Sequence, residues 1–330
     1  MEVNLKYIAN LARVSVSTAS RALRDDPRVS EETKKRIVSI AKSLNYIPNQ
    51  AAKSLVTRQT MTIGLVLPNL RSFMHDIFDG IEAICSSKAY NILLGVSDND
   101  PEKELREMKL LVEKRVDGII LFYVGGVYNP KSIGFLRELK VPIVLIDRYI
   151  PNTSFDFVVS DNRDGSRMLV KHLTEMGHEK IGFIFQKEDA TTITERLEGF
   201  TYSILTSGIK LNPDYIVSGE TFRTENGYHC MEKLMEQPEP PTAVIGSTGD
   251  ITLGIVKYLL EHPGLEKTIT VAGFDDFDFL SYLKIPVTAV AQSTHEMGKR
   301  AAQILLDRIT GKEFKQQKVF LEPTLVKRSN

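Results

Sequence analysis

Apolar spacing divides the chain near residue 60. Before that point apolar residues recur at intervals of three and four, the spacing of helices packed on one face. Between Leu5 and Leu23 two short helical stretches flank a tight turn. Ile8, Ala9 and Ala12 share one face of the first stretch, and Ala19, Ala22 and Leu23 form the inward face of the second. Val14 closes the small core between them, and Ser15 stands where an N-cap is wanted. This register leaves Val16, Ser17, Thr18, Ser20 and Arg21 facing outward. A third helix is predicted from about Glu31 to Leu44, capped by Ser30, with the apolar stripe Ile37, Ile40, Ala41 and Leu44. Glu31 and Glu32 sit favourably at the positive end of its dipole. Asn45-Tyr46-Ile47-Pro48 ends it, and Asn49 can cap a further short helix from Gln50 to about Thr57.

From Met61 the pattern changes. Short apolar runs alternate with amphipathic helical stretches: Thr62–Leu67, Asn91–Val96, Gly118–Phe122 and Pro142–Ile146, then Lys180–Phe185, Tyr215–Val217, Ala243–Ile245 and Thr268–Phe274. Strands apolar on both faces between helices mean parallel sheets covered on both sides. So many units exceed one ordinary sheet, so two doubly wound lobes are expected, with the break near Val159-Ser160-Asp161-Asn162. The late run Val287–Gln292 and a helix over Glu296–Ile309 are expected to cross back between the lobes. Ligands of such folds sit at the carboxyl ends of the strands, so the cleft between lobes is the default site.

Charge sharpens the division. The chain of 330 residues has 42 basic and 42 acidic side chains. Residues 1–60 hold eleven Lys and Arg against five Asp and Glu, a balance of +6, leaving −6 for the rest. A basic head attracts phosphate and an acidic body is repelled by it. Small polar residues with one Arg suit a helix lying in a major groove, the Arg reaching a guanine edge. The two cysteines, Cys85 and Cys230, fall in helical patterns and read as ordinary buried thiols, and no Cys/His metal spacing occurs. Met1-Glu2-Val3-Asn4 opens no signal peptide and no apolar run is long enough for a membrane span, so a cytoplasmic protein is expected.

Short motifs then accumulate in order. The head contains Val14-Ser15-Val16-Ser17-Thr18-Ala19-Ser20-Arg21-Ala22-Leu23, Val29-Ser30-Glu31-Glu32-Thr33 and Tyr46-Ile47-Pro48-Asn49, followed by Ala51-Ala52-Lys53-Ser54-Leu55. The body contains Lys114-Arg115-Val116-Asp117-Gly118-Ile119-Ile120, Asp161-Asn162 with Gly165, Met176-Gly177-His178, Arg196-Leu197-Glu198-Gly199-Phe200, Pro241-Thr242-Ala243-Val244 and Gly273-Phe274-Asp275. Together, over essentially the whole chain, these resemble the LacI/GalR family of bacterial transcription regulators.

The resemblance implies an all-α helix-turn-helix domain over 1–48 and a hinge helix and linker over 49–60. It implies a periplasmic-binding-protein-like core (type I) of two parallel-sheet α/β lobes, 61–160 with about 293–318 and 161–292 with about 319–330. It implies a homodimer on operator DNA, without cofactor or metal. Val16, Ser17, Thr18, Ser20 and Arg21 then fall on the DNA-reading helix, with Arg21 either on a base edge or on a phosphate. Asn49, Ala52, Lys53 and Leu55 fall on the hinge. Leu55 is either a wedge in the minor groove or a linker residue packed on the body. Two departures stand out: Tyr7 replaces a common Asp, and Arg13 occupies a turn position usually held by Gly or another small residue.

In the core, Asp147 and Asp275 end apolar strands where cleft ligands sit, though a carboxylate there can equally cap a helix or brace a loop. By resemblance Arg196, Asp250, Gln292, Phe73 and Phe222 match effector contacts. Gly249 replaces an Asn common in sugar-responsive members, and the chain has no Trp to stack on a pyranose.

The resulting expectation is a sequence-specific repressor whose operator affinity answers to a small molecule, a sugar or sugar derivative, bound between the lobes. The alternative is a solute-binding protein of an uptake system, which would need export and no basic head. An enzyme is disfavoured, because the sequence has no Gly-x-Gly-x-x-Gly after a strand, no P-loop and no Gly-x-Ser-x-Gly elbow.

Overall fold

The computed structural model describes residues 4–46, 59–126, 129–220, 223–312 and 315–328. The expected hinge residues Asn49, Ala52, Lys53 and Leu55, and the expected cleft residue Phe222, lie outside the described residues. The chain forms two compact units, Met1–Thr60 and Met61–Asn330.

The first unit is built from α1 (Leu5–Leu11), α2 (Val16–Ala22) and α3 (Glu31–Ser43). Each begins at a side-chain cap: Asn4 accepts from the Tyr7 amide, Ser15 from Thr18 and Ser30 from Thr33. Such caps satisfy amides that a helix N-terminus leaves unpaired. The core is small, with Ile8, Ala9, Ala12, Ala19, Ala22, Val29, Ile37 and Ala41 buried, and Val14 and Leu23 packed at its edge. Alanines at the α1–α2 contact let the two helices approach closely. Between them Arg13 takes φ 54°, the left-handed region in which only a residue without a Cβ is unstrained, so glycine suits this turn better than Arg.

The second unit holds two six-stranded sheets. One has the order β11-β5-β4-β3-β1-β2, from β1 (Thr62–Leu67), β2 (Asn91–Val96), β3 (Ile119–Leu121), β4 (Ile143–Ile146), β5 (Asp156–Ser160) and β11 (Lys318–Leu321). The other has the order β12-β10-β9-β8-β6-β7, from β6 (Ile181–Gln186), β7 (Ile216–Gly219), β8 (Ala243–Gly246), β9 (Thr270–Phe274), β10 (Val287–Ala291) and β12 (Thr324–Val326). The first sheet is flanked by α4 (Ser72–Ser87), α5 (Pro101–Glu113), α6 (Pro130–Glu138) and α11 (Thr294–Ile309). The second is flanked by α7 (Asn162–Glu175), α8 (Thr191–Thr206), α9 (Thr224–Met235) and α10 (Gly249–Glu261). Each sheet carries an apolar core on both faces, as continuous runs such as Ile143–Ile146 require. α4 and α11 cross backbone to backbone. A Cβ on Gly80 would lie 2.1 Å from the His295 carbonyl oxygen, and one on Gly298 would lie 2.1 Å from that of Ile77.

The two parallel-rich α/β lobes are as expected, with one antiparallel edge pair, β12 on β10, in the second sheet. The last return to the first sheet runs past residue 318. Lys318–Leu321 pairs with β5 in the first sheet, and only Thr324–Val326 joins the second. The reason is a second short apolar run, Val319 to Leu321, which completes the sheet edge before the chain leaves it.

Candidate functional site

In the first unit, α2 carries the residues expected to read DNA. Val16, Ser17 and Arg21 are exposed, and Thr18 and Ser20 are half-buried. Ser15 ties down its own turn, its Oγ lying 2.8 Å from both Ser17 Oγ and Thr18 Oγ1. Arg24 reaches back one turn to Ser20, Nη2 donating to Oγ at 3.0 Å. Val16, at 45% exposure, puts an uncovered apolar side chain at the helix start. An outer face of short side chains and one exposed Arg can enter a groove without steric obstruction.

In the second unit, a cavity of about 220 Å³ opens between the two sheets. Its walls come from segments that follow strand C-termini: Asn69 and Arg71 after β1, Phe122 after β3, Asp147 and Arg148 after β4, Thr248 to Asp250 after β8, and Asp275 after β9. Phe73, Asp147, Arg196, Asp250, Asp275 and Gln292 all line it.

Asp147 and Asp275 occupy matching places. Each follows the fourth strand of its repeat, each has left-handed backbone (φ 65° and 70°), and each donates its amide to the neighbouring strand, at Val158 O and Val290 O. Left-handed carboxylates held this way cost backbone energy, and such strain gathers at ligand sites. Asp275 is braced: Oδ2 accepts from the Gly249 amide at 2.9 Å and Oδ1 from Gln292 Nε2 at 2.7 Å. The Gln292 side-chain oxygen Oε1 is buried with no partner among the described residues. Asp147 is less well supported, with Arg148 Nε 3.6 Å from its carboxylate. Burial pushes the Asp147 carboxyl up to about 6, against the pull of Arg148 and Arg196.

Arg196 is 3% exposed. Its Nε donates to Asn162 Oδ1 at 2.8 Å and Nη1 to the Ser247 carbonyl at 2.6 Å, and its guanidinium lies 4.0 Å over the Phe274 ring. Nη2 has no hydrogen-bond partner among the described residues. Burial pulls its pKa below the usual arginine value, while the charges of Asp275 and Asp147 oppose that pull. A buried guanidinium with an unused donor, facing two carboxylates, is equipped to bind a compound rich in hydroxyls.

The cleft also contains residues that the sequence reading did not single out. Arg148 donates to Glu188 at 2.5 Å across the cleft and lies 4.7 Å over the Phe122 ring. Arg71 reaches Asp250 at 3.1 Å, again from one lobe to the other. Burial raises the Asp250 pKa, and Arg71 opposes the rise. Phe277 and Phe279 stack with centroids 5.4 Å apart and form an apolar wall. They account for Gly249. A Cβ there would come 2.2 Å from the Phe277 ring, so the aromatic wall takes the space of the missing side chain. The available signals were the charge directly after Asp147 and the Phe-x-Phe spacing directly after Asp275-Asp276. Among the described residues no His, Cys, Asp and Glu cluster could hold a metal ion, and no helix is long and apolar enough to cross a membrane.

Residues 4–49 match the sequence profile described as "Bacterial regulatory proteins, lacI family", and residues 170–329 match "Periplasmic binding protein-like domain". The chain is 32% identical over 313 residues to the "HTH-type transcriptional repressor PurR" of Haemophilus influenzae (strain PittEE), covering 94% of this chain and 92% of that protein. It is 33% identical over 325 residues to the "Probable HTH-type transcriptional repressor ExuR" of Bacillus subtilis (strain 168), covering 96% and 95%. Among solved structures, "transcriptional regulator CelR-cellobiose complex" superposes with a TM-score of 0.75 at 26% identity over 99% of each chain. The Lac repressor dimer bound to operator and the anti-inducer ONPF shares the fold, with a TM-score of 0.87 at 23% identity over 99% of this chain and 98% of that one.

One buried acid beside the cleft yields a pH prediction. Glu104 is fully buried, accepts from the Val124 amide at 2.6 Å through Oε2, and leaves Oε1 without a partner among the described residues. Burial pushes its carboxyl from the ordinary 4.5 up to about 8, with the Val124 amide and Arg148 pulling the other way. The folded state therefore holds a proton that the unfolded chain gives up. The stability from the protonated group is complete below pH 4.5 and is lost as pH rises through about 8. Glu104→Gln should gain on the parent across that window, by up to about 1.4 kcal/mol per pH unit. Denaturant unfolding at a series of pH values measures the difference. A parent-to-variant difference that does not change with pH would contradict it.

Proposed function

The chain belongs to the lacI family of bacterial regulatory proteins, and from that premise we propose that it represses transcription in the cytoplasm under control of a small carbohydrate or carbohydrate derivative held in the cleft. One observation carries the ligand reading. A buried Arg196 with an unused donor faces the acceptors of Asp147, Asp275 and Gln292, and the aromatic rings of Phe73, Phe277 and Phe279 flank them. A sugar ring presents hydroxyls at its edge and C–H groups on its faces, so it can use both kinds of wall. A solved relative named as a cellobiose complex supports the same ligand class. The solute-binding alternative gives residues 4–49 no role.

In this reading Val16, Ser17, Thr18, Ser20 and Arg21 contact the operator, with Asn49, Ala52, Lys53 and Leu55 completing the grip in the minor groove. One reading helix per chain calls for a homodimer on a pseudo-palindromic site. Leu93 and Leu94, exposed at 39% and 40% on edge strand β2, offer apolar surface for a second copy.

Arg21→Ala should lose roughly 1–3 kcal/mol of discrimination between a selected operator and random duplex. Titrations of both DNAs read the effect, and equal losses on the two would make Arg21 a phosphate anchor instead.

Arg196→Ala and Asp275→Ala should each weaken binding of the sugar found by a thermal-shift screen, since each leaves partner groups unpaired in a closed site. Calorimetry is the check. Unchanged dissociation constants in both variants would remove these residues from the site.

A further inference from the structure

The buried Arg196 does not stand alone. Its Nε donates to Asn162 Oδ1, and the same amide donates through Nδ2 to Glu195 Oε2 at 3.2 Å and to the Ser160 carbonyl at 3.2 Å. Glu195 Oε1 in turn accepts from Tyr149 Oη at 2.7 Å and from Arg163 Nη1 at 2.6 Å. Asn162, Glu195 and Arg196 are only 1%, 2% and 3% exposed. The chain of contacts crosses between lobes. Tyr149 follows β4 in the first lobe, while Glu195 and Arg196 lie on α8 in the second. Asn162 opens α7 directly after β5, where the backbone passes from one lobe to the other.

We infer that Asn162 and Glu195 are positioning residues that hold the Arg196 guanidinium at the cleft and tie its placement to lobe closure through Tyr149.

The argument rests on hydrogen-bond supply. A buried carboxylate needs its donors close by. Glu195 draws one of its three from the opposite lobe. Opening the lobes takes the Tyr149 hydroxyl away and leaves Oε1 to Arg163 alone. The Asn162 amide cannot turn over to compensate, because its NH2 would then face the guanidinium. Asn162 can therefore serve Arg196 and Glu195 together in one orientation only. Closure and the arrangement of the ligand-facing guanidinium become two ends of one network. Two neighbouring contacts cross in the same place: Arg148 Nη1 donates to Glu188, and the Tyr149 amide donates to Thr191 Oγ1 at 3.3 Å. The consequence for regulation rests on the effector reading above, but the network and its test do not.

The test uses the full chain without DNA or sugar. Nitroxide labels at Asn99→Cys and Lys187→Cys, on exposed sites after β2 and β6, report the distance between lobes. The native Cys85 and Cys230 are buried at 1% exposure each, out of reach of the label. Tyr149→Phe removes one hydroxyl and no volume to speak of. It should raise the population of long inter-lobe distances about tenfold, which is about 1.4 kcal/mol. Glu195→Gln should open the lobes in the same sense, and the double variant should open them no further than the more open single one. Ser203→Ala is the control. It deletes a buried hydroxyl bond on α8, 2.7 Å to the Gly199 carbonyl, that has no part in the network. It should lower thermal stability and leave the distances as in the parent. Distances unchanged in Tyr149→Phe, or shifted equally by Ser203→Ala, would overturn the inference. A screen in which no sugar binds would count against the effector reading and leave this result standing.

Discussion

Parallel pairing sends every strand of a sheet out at the same edge, and in the Met61–Asn330 unit two such edges face each other. Everything chemical in that unit follows from this constraint. The loops that leave β1, β3 and β4 meet those that leave β6, β8 and β9, and polar side chains converge there without any long-range search. The convergence has an energetic side. Asp147, Asp275 and Arg196 are brought close in low dielectric, so burial raises the Asp147 pKa and lowers that of Arg196; Arg196 and Asp147 each oppose the other's shift, while the like charge of Asp275 adds to the rise at Asp147.

The sequence made much of this legible, and it did so where local physics is strong. Ser15 and Ser30 cap helices at the positions their side chains suggest, because an unpaired amide and a nearby hydroxyl are adjacent in the chain. The apolar runs at 62–67 and 91–96 are strands of those lengths, the first buried on both faces and the second an edge strand that is largely exposed. The strand β5 was harder to see. It opens on Asp156, whose charge breaks the apolar pattern and is met by Arg308, from a helix 152 residues away, and by the Gln317 amide. β11 and β12 are four and three residues long, too short for periodicity to register.

The cleft divides the same way. Asp147 and Asp275 could be found from strand ends alone. Phe277, Phe279 and Arg148 carry only the weak signals of an adjacent charge and a Phe-x-Phe spacing, because their place depends on where loops fold. The case of Gly249 is instructive: its meaning lies in a ring 28 residues later that fills the space beside it. Arg13 is the converse. Its left-handed backbone is a local requirement of the turn, one that glycine would meet without strain.

In the proposed function one cleft ligand and one operator share a single protein equilibrium, and thermodynamic linkage makes this testable without further structure. Operator affinity should be measured with and without a sugar found to bind the protein, and sugar affinity with and without operator. The account predicts the same factor in both directions, in the range of roughly 5- to 150-fold. It also predicts that Arg196→Ala abolishes the factor while operator binding in the absence of sugar persists. A sugar that occupies the cleft yet leaves operator affinity unchanged would contradict it.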